Sequence, residues 1–288
     1  MSNLNLARIA QKRDRFIDGI PLLLEEIMNS NERFIYYYLA KDALQAFLFG
    51  EILTKRTHQT TLLNLACDFS IVHLEALCNP NKTISTTINA QKIEVSPIPE
   101  VIGGGLEYWS KLFYLATISR RNDVDTKLKT LINSPRIRQY PESHDPWVSS
   151  ESNFLYSIAT RNNIEDAYKE LQKSKDLDQT IRIHYGGTHE QIPITHERSE
   201  LINQAFYPPL RLYYQGTKND QIGFNQTLND HLENYEKYLK ETDQATLEKY
   251  MVPISLIAAC AYAHDQGIRI TVESDYLPKW LIEGDFKH

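Results

Sequence analysis

Histidine side chains are candidates for metal binding and catalysis, because they bind metal ions and transfer protons near neutral pH. The chain contains nine histidines, and the tightest group is His184 and His189, separated by four residues, with His196 following. No pair has the H-E-x-x-H spacing or another compact spacing typical of a metal site. A loop cluster of this kind is more often exposed polar structure. The sequence therefore predicts no metal site.

Paired carboxylates are the second chemical signal, since two of them can act as general acid and general base. Asp265 with Glu273, and Glu25 with Glu26, are such pairs, but among 37 acidic residues no spacing distinguishes one pair. Three glycines at 103–105 suggest a phosphate loop, yet they lack both the P-loop and the dinucleotide-binding pattern. No G-x-S-x-G sequence and no catalytic cysteine setting occurs. We therefore expect no enzymatic activity, no catalytic residue and no cofactor.

Tyrosine is the remaining abundant functional residue type, with 17 in the chain. Tyrosine is enriched at protein interfaces because its ring gives contact area and its hydroxyl a hydrogen bond at low entropic cost. The alternative is that these rings fill a helix bundle and expose only their hydroxyls. Our hypothesis places a partner-binding surface on acidic, tyrosine-rich helical faces. The tyrosines concerned are Tyr36, Tyr37, Tyr38, Tyr207, Tyr213, Tyr214, Tyr235, Tyr238 and Tyr250.

Charge and cysteine content restrict the location and the partners. The net charge of −6 and the pI of 5.9 disfavour direct nucleic-acid binding and suit a basic partner. Cys67, Cys78 and Cys260 are an odd number without C-x-x-C spacing, which predicts a reducing compartment and no disulfide framework. The N-terminus lacks the apolar core of a signal peptide, and the longest apolar run, 250–263, is too short to span a membrane. We expect a cytoplasmic protein without membrane contact.

Helical spacing of apolar residues covers most of the sequence. It predicts a mainly α, multi-helix protein in a single domain over residues 1–288. β-branched residues alternate over 83–95, which predicts a hairpin of two short strands. The same alternation near 268–273 predicts one further short strand.

An internal similarity adds a second interpretation of the fold. Residues 114–134 resemble residues 154–174 at an offset of 40, each with an apolar helix that ends near Arg-Asn and an amphipathic helix after it. Helix-pair repeats have periods in this range. The chain could therefore contain stacked helix pairs and act as a helical-repeat scaffold or a regulatory protein that binds a peptide. Chance similarity between two helical hairpins is the other explanation.

The C-terminal stretch 256–281 carries the densest local signals. An apolar helix runs to Gly267, which can adopt the left-handed conformation that often follows a helix. Apolar residues at 268, 270 and 272 alternate with polar ones and are predicted to face inward. Ser274 or Asp275 can cap a short terminal helix, which Trp280 anchors to the core.

This stretch resembles the end of the immunity protein 49 family, bacterial proteins encoded beside polymorphic or contact-delivered toxins. The similarity lies in a helix of small residues that ends in Asp-x-Gly and in a Glu-Ser-Asp-Tyr-Leu-Pro turn. His264 departs from the family pattern, which has a larger residue there. The matching residues are Asp265, Gly267, Glu273, Ser274, Asp275, Tyr276, Leu277, Pro278 and Trp280.

The resemblance implies an immunity protein that binds and neutralises a cognate toxin domain. It implies a structural role for the matching residues and assigns no toxin-binding residue. Such inhibition needs complementary surfaces and no catalysis, and charge attraction would speed association. An acidic inhibitor fits a basic target, so a toxin that attacks nucleic acid is the expected target class. The oligomeric state does not follow from the sequence.

Overall fold

The structure is a computed structural model that describes residues 6–29, 35–88, 91–98, 105–139, 145–175, 180–185, 188–193, 196–241 and 251–286. Within these ranges, the side chains at 24, 26–29, 180–185, 188–193 and 196–198 are not among those described.

Three long helices form the N-terminal part. Helix α1 (Leu6–Asn29) packs on α2 (Ile35–Ile52), and α2 packs on α3 (Gln59–Cys78). Pro21 lies inside α1 without ending it. Helix α3 is apolar on nearly all sides, and among the described helices it alone is long and apolar enough to cross a membrane. Of that apolar window, 72% is buried inside the protein, as expected for a core helix.

A β-hairpin follows, as predicted for 83–95. Strand β1 (Ile84–Ile88) pairs antiparallel with β2 (Gln91–Val95). Its inner face is formed by the alternate residues Ile88, Ile93 and Val95, which are buried against the helices. The β-branched alternation thus predicted both the strands and the face that they bury.

Two helix pairs occupy the middle of the chain. Helix α4 (Leu106–Ser119) precedes α5 (Asn122–Leu131), and α7 (Pro146–Thr160) precedes α8 (Ile164–Lys175), with the short α6 (Pro135–Arg138) between the pairs. Each pair turns at an arginine in the left-handed conformation, Arg120 at φ 54° and Arg161 at φ 55°. These turns are 41 residues apart, one more than the offset in the sequence. The pairs pack together through α4 and α7, where the hydroxyls of Ser110 and Ser152 lie 2.9 Å apart.

The C-terminal part begins with a second hairpin, β3 (Thr180–Tyr185) with β4 (Thr188–Pro193), which was not one of the two predicted β elements. Helix α9 (His196–Leu201) continues through a π-helical turn (Ile202–Phe206) into α10 (Tyr207–Thr217). Helix α11 (Gln221–Glu241), α12 (Ile254–Asp265) and α13 (Lys279–Glu283) complete the fold. The strand predicted near 268–273 is not formed: this segment belongs to neither hairpin, and the prediction was wrong.

Helix α12 lies at the centre of the core. It contacts α4, α10 and α13, and its small residues at 258–261 and 263 are fully buried, which lets the neighbouring backbones approach. At Gly216 of α10 an added Cβ would lie 3.4 Å from the Tyr262 ring. One apolar cluster extends from Tyr36 to Ile282. The prediction of a mainly α fold with small β elements is confirmed, and a single domain over 1–288 stays a prediction.

Candidate functional site

The predicted glycine turn positions the C-terminal stretch. Gly267 has φ 92°, and its N–H donates to the carbonyl of His264 at 2.9 Å. The next N–H, of Ile268, donates to the carbonyl of Ala263 at 3.0 Å. These two bonds form a Schellman motif, which satisfies the last carbonyls of α12 and turns the chain sharply. A side chain at 267 would be strained by the backbone alone, because nothing lies within 4 Å of its Cβ position.

Asp265, in the last turn of α12, is bound by an arginine from a distant part of the chain. The Arg120 guanidinium donates to both carboxylate oxygens, at 3.1 and 3.2 Å. It also donates to the carbonyl oxygens of Leu281 and Ile282, each at 2.5 Å. One planar side chain therefore joins the end of α4, the end of α12 and the end of α13.

Residues 268–275 follow Gly267 with a strict two-residue alternation of burial. Ile268 is buried and Ile270 and Val272 are partly buried against the core, whereas Arg269, Thr271, Glu273 and Asp275 are exposed. This alternation is the predicted one and is typical of an extended chain. The inward and outward residues were thus predicted correctly, although the segment belongs to no sheet.

Side-chain amides of α11 take the place of a neighbouring strand. The amide of Gln221 accepts from the N–H of Arg269 at 2.8 Å and donates to its carbonyl at 2.5 Å. Asn225, one turn later, donates to the same carbonyl at 3.0 Å and accepts from the N–H of Thr271 at 2.8 Å. These amides satisfy one edge of the extended segment without a strand, which is why the predicted β-strand is not formed.

The turn after this segment differs from the predicted cap. Ser274 accepts at its hydroxyl from the N–H of Tyr276, at 3.2 Å, and at its carbonyl from the N–H of Leu277, at 3.0 Å. The N-cap of α13 is Pro278, with no side-chain cap bond, so Ser274 and Asp275 do not cap that helix. Ser274 instead closes the tight turn before it, as serine hydroxyls commonly do.

Trp280 anchors α13 to the corner between α2 and α3, as predicted. It is buried, and its indole N–H donates to the Glu51 carboxylate at 3.2 Å. Arg56 stacks over the indole at 4.8 Å and pairs with Glu51 at 3.1 Å. Burial raises the pKa of Glu51, while the bonds from Gln59 and Arg56 oppose that rise. Tyr276 packs edge-on against Tyr235 of α11, with ring centroids 5.6 Å apart.

Residues 267–275 and α13 line an open cleft of about 950 Å³. Lys279, Ile282 and Glu283 contribute from α13. Lys279 pairs with Glu273 at 2.7 Å, and this hydrogen bond lowers the pKa of the Glu273 carboxyl. Asp275 and Glu283 are exposed and form no ion pair within the described part of the chain. The cleft is therefore concave and polar. Its charged lining has three carboxylates against two cations, and Asp275, Glu283 and Arg269 form no ion pair among the described residues.

Within the described part of the chain, the candidate metal-binding and catalytic residues do not form a catalytic site. Among the described residues, no three His, Cys, Asp or Glu are placed to hold a metal ion. The side chains of His184, His189 and His196 lie outside the described set, although His184 and His189 are backbone partners across the second hairpin. Asp265 and Glu273 do not form an acid pair, since each binds its own cation, Arg120 and Lys279.

The remaining candidate residues have structural positions. Gly105 has φ 90° and is the N-cap of α4, while Gly103 and Gly104 lie outside the described residues. Glu25 is exposed on α1, and the Glu26 side chain lies outside the described set. Cys67 and Cys260 are buried as predicted, and burial raises the pKa of both thiols, to about 12 for Cys67. Such thiols stay protonated and inert near neutral pH.

Three of the nine tyrosines proposed for a binding face are buried inside the protein. They are Tyr36, Tyr213 and Tyr235. Tyr214 stacks on Tyr168 with ring centroids 4.0 Å apart. Tyr38 has 57% of its surface exposed. Tyr37, Tyr207 and Tyr238 are partly buried, and Tyr250 lies outside the described residues. The core-filling interpretation fits the three buried rings, and a binding face that includes the others stays a prediction.

The residues that hold the C-terminal stretch in place from far along the sequence were not predicted. Arg120 is 145 residues from Asp265, and Gln221 and Asn225 are 44 to 48 residues from Arg269 and Thr271. Local spacing carries no signal for such partners. The one available hint was the placement of two amide side chains one helical turn apart, at 221 and 225, at the start of a helix.

One of three comparisons with known proteins gives a match. A search of curated proteins found no significant match, and a search of solved structures found none either. The family model for immunity protein 49 matches residues 53–281, most of the chain, including the Schellman turn, the extended segment and most of α13. The chain therefore belongs to the immunity protein 49 family.

Proposed function

We propose that this protein is an immunity protein that binds a cognate bacterial toxin domain in the cytoplasm and neutralises it. The observation that carries the proposal is the match of the immunity protein 49 model over residues 53–281. Family membership favours inhibition by binding over catalysis. The helical-repeat scaffold has weaker support, because the similarity of the α4–α5 and α7–α8 pairs is confined to two units.

The C-terminal cleft is the surface that we assign to the toxin. Residues of the family motif line it, and all its lining residues except Ile282 and Glu283 fall inside the matched range. Another cleft, about 590 Å³ between α1 and α2, is lined by residues between 12 and 49, outside that range. A concave polar surface with three carboxylates against two cations has an excess of one negative charge, which suits a basic side chain of a protein partner. The net charge of −6 supports the same partner, and a basic enzyme that attacks nucleic acid is the target class we propose.

Co-expression tests this function. The toxin domain encoded by the neighbouring gene is induced in a sensitive bacterial host, with or without this protein. Survival only when this protein is present, together with co-elution of the two proteins in size-exclusion chromatography, is the expected result. Equal killing in both strains would show that the protein is not the immunity partner of that toxin. A catalytically inactive toxin serves as the expression control.

The target class is tested separately with the purified toxin domain. We expect the domain to degrade DNA or RNA, and a stoichiometric amount of this protein to stop the degradation. A toxin that leaves nucleic acid intact would refute the target class while leaving the immunity function in place.

A further inference from the structure

The extended segment has a second edge, opposite the one held by α11. In an extended chain the N–H and C=O of one residue point to the same side, and those of the next residue point to the other side. Both backbone groups of Arg269 and the N–H of Thr271 point to Gln221 and Asn225. The backbone groups of Ile270 and Val272 therefore point away from α11.

Within the described residues, no group donates to or accepts from the backbone of Ile270 or Val272. Both residues line the cleft, with their side chains packed against the core and their chain direction fixed by the Schellman turn before them and the Ser274 turn after them. Four backbone hydrogen-bonding groups are thus held in strand geometry at the wall of a concave surface. Such an edge is a template for pairing with another extended chain.

We propose that the Ile270–Val272 edge docks an exposed extended segment of the toxin domain, which pairs with it as an added β-strand. The proposal rests on the immunity function and names the chemistry of the contact: main-chain hydrogen bonds supply the pairing. A basic side chain in the toxin segment faces Asp275 and Glu283, the cleft carboxylates without an ion pair among the described residues.

The shape of the cleft favours an inserted segment over a second copy of this chain. The edge lies in a concavity between 267–275 and α13, so a symmetric dimer that joins two such concave surfaces cannot bring the two edges together. A projecting strand or loop of a partner can. The supporting amides Gln221 and Asn225 already fix the edge, so the partner meets a preorganised surface at a lower entropic cost.

Residue-resolved amide hydrogen exchange on the full-length protein tests the proposal, with the toxin domain of the neighbouring gene as the probe. In the free protein, the amides of Ile270 and Val272 should exchange at least about tenfold faster than those of Arg269 and Thr271, which are bonded to α11. Saturating toxin should slow Ile270 and Val272 by about tenfold or more and leave Arg269 and Thr271 unchanged.

Each other outcome identifies a different error. A complex that leaves Ile270 and Val272 unchanged overturns the docking edge and keeps the immunity function. Failure to form a complex overturns both the docking edge and the immunity function. Slow exchange in the free protein at every concentration means that this chain covers its own edge, and slowing that grows with concentration means that a second copy does; either result refutes the toxin segment as occupant.

A backbone variant gives an independent measurement. Val272→Pro deletes one N–H of the edge, whereas Val272→Ala shortens the same side chain and keeps that N–H. We expect the dissociation constant for the toxin to rise at least about tenfold in Val272→Pro and to change less than about threefold in Val272→Ala. Equal affinities for both folded variants would contradict the proposal. If Val272→Pro does not fold, as judged by circular dichroism, the exchange experiment decides.

Discussion

Arg120 and Arg161 end their helices in nearly the same left-handed conformation, at φ 54°, ψ 34° and φ 55°, ψ 35°, yet only Arg120 connects distant parts of the fold. Its guanidinium binds Asp265 and two carbonyl oxygens of α13. The Arg161 side chain is exposed and makes no hydrogen bond to the described residues. The same strained turn is therefore compensated by tertiary bonds in one helix pair and not in the other.

This difference predicts opposite effects of glycine at the two turns. Arg161→Gly should leave the free energy of unfolding unchanged or raise it by up to about 1 kcal/mol, because glycine adopts this conformation without strain. Arg120→Gly should lower it by about 1–3 kcal/mol, since the lost charged hydrogen bonds outweigh the relieved strain. Urea unfolding at pH 7 measures both values. Equal effects of the two substitutions would show that the Arg120 bonds contribute nothing to stability.

Asn225 is expected to hold the cleft wall in place. Asn225→Ala should lower the free energy of unfolding by about 1–2 kcal/mol and speed exchange of the Thr271 amide, because the variant leaves the backbone groups of Arg269 and Thr271 without this partner. Asn229→Ala, one turn along the same helix, is the matched control. Among the described residues its side chain bonds to the exposed Glu233 alone, so its effect should stay within about 0.5 kcal/mol. The prediction fails if Asn229→Ala destabilises as much.

Local signals predicted the elements of this protein well. Small apolar residues before Gly267 specified a buried helix and its left-handed end, and the period of two after it specified which residues face the core. The same local rules were wrong about the cap of α13, because Ser274 is used in the preceding turn. They could not predict that amides from α11 would replace a partner strand, since that depends on tertiary contacts more than 40 residues apart in sequence.

Glu151 gives a pH dependence with a definite sign. Its carboxylate accepts from the Tyr114 hydroxyl at 2.5 Å between α7 and α4, and burial raises the pKa of Glu151 to about 7. The folded protein therefore binds this proton more tightly than the unfolded chain, so stability is lost as the pH rises from about 4.5 through about 7. Glu151→Gln stays neutral and should exceed the wild type in stability by about 1–3 kcal/mol at pH 8 and by much less at pH 5.

The control for this prediction is Glu170→Gln, on the exposed face of α8, where the carboxylate pairs with Lys173 in solvent. Its effect should be small at both pH values, because exposed ion pairs contribute little. Urea midpoints of the three proteins at pH 5 and pH 8 provide the comparison. If Glu151→Gln differs from the wild type by the same amount at both pH values, the carboxyl does not titrate in this range.

Asp275 and Glu283 of the cleft, which form no ion pair among the described residues, predict how fast the toxin associates. Replacing Asp275 by Asn and Glu283 by Gln removes two negative charges from the surface that we assign to a basic partner. At low salt the association rate constant should fall by about 3- to 10-fold, with a smaller fall at 0.5 M salt, because steering by exposed charges is screened. The matched control carries Asp166→Asn and Glu170→Gln on the exposed face of α8, with the same change in net charge. Equal slowing of both double variants in stopped-flow measurements would mean that total charge, and not the cleft, attracts the toxin.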